Sequence, residues 1–212
     1  MTARVRVCVV LLVCLLWPIG ASAQINLKKT VSFLVGGVSG LAVHESGHII
    51  TGALLGAQPG TKPIRYAGIP FFAVTHEPVT RRKEFVISSA GFWMQHAGSE
   101  WLLTARPQLR DESAPLLKGI LAFNIGTSLM YAGAAFGRLG PPERDPRGMA
   151  ASMGTTGWPE PVVGAMILAP ALLDGYRYFK PDQRWAAWAS RGAKIAFVAL
   201  VLAAGRTGRP LP

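Results

Sequence analysis

His44-Glu45-Ser46-Gly47-His48 reads H-E-x-x-H. On a helix, positions four apart share one face about a turn apart, so both imidazoles can reach one metal ion. Glu45 stands beside them, where a carboxylate can serve as general base toward water activated by zinc. Ser46 and Gly47 are small and let a neighbouring helix come close. The motif lies inside residues 31–55, an apolar run without Lys or Arg. An ionisable side chain at the centre of such a run costs on the order of 2.5–3.5 kcal/mol by insertion scales. Three polar residues in five positions there point to chemistry rather than to packing.

A catalytic zinc takes three protein ligands and keeps one position for water. The first candidate for the third ligand is Asp174, in Leu172-Leu173-Asp174-Gly175-Tyr176-Arg177, because a carboxylate in an apolar segment needs a cation. That cation is either the metal or Arg177 at i+3. Asp145, Glu100, His96 and His76 are lesser candidates. Asp145 sits in a Pro/Gly-rich loop beside Arg144 and Arg147, where a solvated or ion-paired role is the simpler reading. His76 and His96 read as polar loop or interface residues.

The elements that must position these groups are apolar and long. The 212 residues are 50% hydrophobic and 16% charged, which excludes a disordered chain. The net charge of +11 falls between apolar runs, with no zinc-finger spacing or aromatic RNA-binding motif, so it reads as membrane-flanking Lys and Arg and not as a nucleic-acid surface. Residues 1–23 have the parts of a secretory signal peptide: Arg4 and Arg6, an apolar stretch from Val7 to Trp17, Pro18, and Ala21-Ser22-Ala23 as the cleavage site. Both cysteines, Cys8 and Cys14, lie within it, so residues 24–212 can form no disulfide. The mature N-terminus is expected outside the cytoplasm.

Residues 24–212 are expected to form one membrane-embedded helical domain, with the metal-site core at 31–179. The predicted fold is an all-α bundle of about four transmembrane helices, at 31–55, 116–139, 161–179 and 193–205, the last short unless Arg191 and Lys194 snorkel. Residues 85–105 carry Gln95, His96 and Glu100 and are expected to be re-entrant or interfacial. With 85–105 off the path, Lys and Arg on the inside outnumber those outside by roughly two to one; with it spanning, the two sides are nearly even. The first arrangement makes 31–55 and 161–179 parallel. Residues 56–84 and 140–160 read as loops, with a strand-like stretch from Gly68 to Thr75.

An H-E-x-x-H inside a membrane helix, followed by L-D-G-x-R in another, resembles the site-2 protease family of intramembrane zinc metalloproteases. The resemblance implies that His44, His48 and Asp174 bind Zn2+ and that Glu45 is the general base. It also implies a central segment lining the active site, for which Ser88 to Gln95 is a loose match, with Gly91 and Gln95 as substrate-contacting residues. The family's proline before L-D-G is displaced to Pro170. The expected activity is hydrolysis of a peptide bond in or near a transmembrane segment of a membrane-protein substrate, in a multi-pass protein of the bacterial inner membrane. The alternative is a non-proteolytic zinc-binding protein, or a purely structural one, with the lipid bilayer as its surroundings in every case.

Overall fold

The computed structural model describes residues 26–66, 69–153 and 159–203. The signal-peptide reading for residues 1–23 lies outside them. The described chain is mostly helical: α1 (Leu27–Leu54), a hairpin of β1 (Gly60–Tyr66) and β2 (Ile69–Thr75), α2 (Arg81–Ala105), α3 (Pro115–Gly137), α4 (Asp145–Ser152), α5 (Pro159–Phe179) and α6 (Arg184–Ala203).

Asn26 caps α1, its side chain accepting the Lys29 amide at 3.1 Å. The residues α1 buries are Gly36, Gly40, His44, Gly47, His48 and Gly52, while Val31, Leu34, Val38 and Ile50 are exposed. This inverts the pattern of a helix on a soluble core, where the apolar stripe faces inward. The glycines let backbones meet. A Cβ on Gly36 would run into the Leu116 carbonyl, and one on Gly119 into the Phe33 carbonyl.

Residue contacts fix the directions of the helices. Gly36 meets Leu116, Gly40 meets Phe123 and His44 stacks on Tyr131, so α1 and α3 are parallel. His44 meets Gly91 and His48 meets Ile87, so α2 is antiparallel to α1. Phe85 and Phe92 pack with Val163 and Ile167, while Glu100 pairs with Arg177, so α5 runs with α2. Arg191 reaches Thr104 whereas Phe197 reaches Trp93, so α6 opposes α2.

Two expectations are thereby corrected. Residues 85–105 do not form a re-entrant segment, because α2 is one unbroken helix of 25 residues. At 1.5 Å per residue it is about 37 Å long. Its polar residues are turned inward: Gln95, His96 and Ser99 are buried, and Glu100 is ion-paired. The helix of His44 and the helix of Asp174 are antiparallel, not parallel. Asp174, near the C-terminal end of α5, therefore lies toward the end of the bundle where α1 begins, and the histidines lie toward the other.

The strand-like reading of Gly68 to Thr75 falls on β2, which pairs antiparallel with β1 from Gly60↔Thr75 to Tyr66↔Ile69. Pro63 and Pro70 are tolerated because each strand has only one neighbour. Among the described residues two of the four expected spans, α3 and α6, are long and apolar enough to cross a membrane by length and composition; α1 and α5 are not among them.

Candidate metal centre

Four elements converge beside the hairpin. α1 supplies His44 and His48 on one face, as their spacing requires. The antiparallel α2 passes so close that a Cβ on Gly91 would overlap the His44 ring. Phe92 meets that ring edge-on at 5.4 Å between centroids, and Tyr131 of α3 stacks on it at 6.1 Å. The ring is thus held from three sides.

The third ligand candidate comes from the loop after α3. Arg138 and Gly140 take left-handed backbone conformations, and α4 starts at Asp145-Pro146, with proline in its first turn. The two residues before Asp145 are tied down. Glu143 pairs with Lys62 of β1 at 2.6 Å, and the buried Arg144 pairs with Glu160 of α5 at 2.6 Å. Asp145 is left facing the histidines.

The three donor atoms form a closed triangle. Asp145 Oδ2 is 3.1 Å from His44 Nε2 and 3.4 Å from His48 Nε2, and the two nitrogens are 3.2 Å apart. Ligand atoms about 2.0–2.1 Å from a tetrahedral zinc stand about 3.3 Å from one another. The chemistry of the set agrees. His48 Nδ1 lies 2.8 Å from the Ile87 carbonyl, which can only accept, so Nδ1 carries a proton. In neutral His48 that leaves a lone pair on Nε2 facing a carboxylate, an arrangement that calls for a cation between them. These three residues are the one His/Cys/Asp/Glu group among the described residues placed to share a metal ion.

Glu45, partly buried, lines the same cavity as the three donors. The cavity has a volume of about 830 Å³ and runs between β2 and α3. Met130, three-quarters exposed, borders it, so it reaches the outer face of α3.

Asp174 is not part of this site. Its carboxylate accepts from Lys194 and from Ser190, each at 2.7 Å, and lies 3.6 Å from Arg177. Glu100 shares that network, accepting from Arg177, Arg191 and Lys194. His96 packs edge-on against Phe197. His76 pairs with Glu84 at 3.2 Å on the cavity wall. Gly91 and Gln95, expected to contact substrate, do not line the cavity; Gly91 lies beneath the His44 ring. The signal that could have singled out Asp145 is an acid at a helix start, its two preceding neighbours both charged and both able to pair elsewhere.

No family model, no curated protein and no solved structure matches the chain.

Proposed function

We propose that this protein is a membrane-embedded zinc metallopeptidase that cleaves a peptide bond in or near a transmembrane segment of its substrate. The observation that carries this reading is the triangle of His44, His48 and Asp145 closing beside Glu45 on one cavity. The inside-out burial of α1, the apolar α3 and α6, and the exposed Trp101, Trp185 and Trp188 toward the far end of the bundle support a bilayer as the surroundings.

His44, His48 and Asp145 would hold the zinc, which supplies Lewis acidity that polarises a carbonyl and acidifies water. Glu45 takes the proton of the attacking water and delivers it to the departing amine. The Ile87 carbonyl keeps the His48 ring aimed. The cavity walls keep the reacting segment apart from bulk solvent. A substrate must enter with its scissile bond extended, since a helical carbonyl is already hydrogen-bonded.

The test is cleavage of a membrane-inserted peptide library by the detergent-purified protein. The wild type should cut and Glu45→Gln should lose 10²-fold or more while retaining zinc. Equal cleavage by both would remove the peptidase reading.

A further inference from the structure

The two histidines of the site are supported unequally. His48 donates its second ring nitrogen to the Ile87 carbonyl. His44 Nδ1 is buried and finds no partner among the described residues. A ligating histidine ordinarily donates that second N–H to an acceptor, which fixes the tautomer and the ring orientation. Buried polar atoms without partners are uncommon, and each asks for an explanation.

One turn beyond Gly91 on the same face of α2 stands Gln95. It is 1% exposed, and neither its amide oxygen nor its amide nitrogen finds a partner among the described residues. A long side chain on a helix folds back over the turn N-terminal to its own Cα. For Gln95 that turn is the one at Gly91, whose missing side chain leaves the space that the His44 ring occupies. Asn124 of α3 steadies the same stretch of α2, donating to the Gln95 backbone carbonyl at 3.1 Å and to Ser99 at 3.0 Å. The His44 Nδ1 of the ring lodged at Gly91 and the amide of Gln95 one turn along α2 are thus two orphaned, complementary groups.

We propose that Gln95 is the positioning residue of His44: its amide oxygen accepts the His44 Nδ1–H through one bridging water and keeps the Nε2 lone pair turned toward the metal. Gln95 thus acts from behind the ring and not on the substrate. The inference rests on the zinc reading above.

The experiment measures zinc affinity by chelator competition, together with thermal unfolding of the metal-free protein, for full-length wild type, Gln95→Leu and Gln95→Glu. Gln95→Leu should weaken zinc by about 10–100-fold. It should leave metal-free stability close to wild type, because the lost bond to His44 is offset by removing the unpaired amide nitrogen and burying an apolar group in its place. Gln95→Glu, which restores an acceptor, should hold zinc within a few-fold of wild type. Wild-type affinity in Gln95→Leu would overturn the proposal. So would a joint loss of affinity and metal-free stability, which would assign Gln95 to packing alone, or a Glu variant as weak as the Leu variant. A wild type that binds no zinc would instead remove the metal centre itself, and this inference with it.

Discussion

Asp145 Oδ2 lies 3.1 Å from His44 Nε2, although 101 positions separate the two residues in the chain. The approach is built by the pairs on either side of the loop, Lys62 with Glu143 and Arg144 with Glu160, which tie it to the hairpin and to α5. A donor held this way is pre-set before any metal arrives, and a pre-set donor costs little ordering entropy on binding.

Asp174 then has a different task. Its carboxylate neutralises Lys194, which α6 carries into the bundle. Asp174→Ala should destabilise the protein by less than the about 3–5 kcal/mol of a fully stranded charge, because Lys194 keeps its pair with Glu100. Combining it with Lys194→Met should recover most of that loss. Denaturant titration of the two single variants and the pair measures the coupling; additive losses would contradict the assignment.

Gly91 is the second test of the packing. The His44 ring occupies the space a Cβ would take, and Phe92 and Tyr131 leave it nowhere to move. Gly91→Ala should cost about 1–3 kcal/mol by overpacking and weaken zinc as the ring is displaced. Gly37, which faces open space, is the matched control, and Gly37→Ala should leave zinc affinity unchanged.

The meeting of His44 and His48 could be read from sequence because their spacing is local: one helix turn brings both rings to one side. Asp145 stood there only among four lesser candidates, since its approach depends on a left-handed turn, a proline-started helix and two long-range ion pairs. Asp174 misled because an acid in an apolar run is costly wherever it sits, and the cost says only that a cation is near. The cation is Lys194, whose position near the start of the last apolar run read as a snorkelling end. Likewise Gln95, His96 and Glu100 made residues 85–105 look unfit to cross the bundle. They are accommodated because α2 turns them toward α3, α5 and α6. The overall helical character and the hairpin's second strand needed no such long-range knowledge.

The hairpin should loosen with rising pH. His76, just after β2, bonds Glu84 of α2 through Nε2 and the Glu77 carbonyl through Nδ1. The Glu84 bond raises its pKa, burial opposes this, and the Glu77 carbonyl adds to the rise, leaving it above the ordinary value of 6.5. A raised folded value means the clasp is complete below the ordinary histidine pKa and is lost as pH climbs through the raised one. Hydrogen exchange of β2 amides across that range should accelerate in the wild type beyond the intrinsic trend. In His76→Gln it should be fast throughout, and a wild type without the extra acceleration would count against the clasp.

The central claim is the identity of the three ligands, and zinc content measures it most directly. Detergent-purified wild type, His44→Ala, Asp145→Ala and Asp174→Asn should be loaded with zinc, desalted and assayed side by side. The account predicts about one zinc per chain in the wild type and in Asp174→Asn, and loss of zinc in His44→Ala and Asp145→Ala. Zinc retained by Asp145→Ala but lost from Asp174→Asn would contradict it.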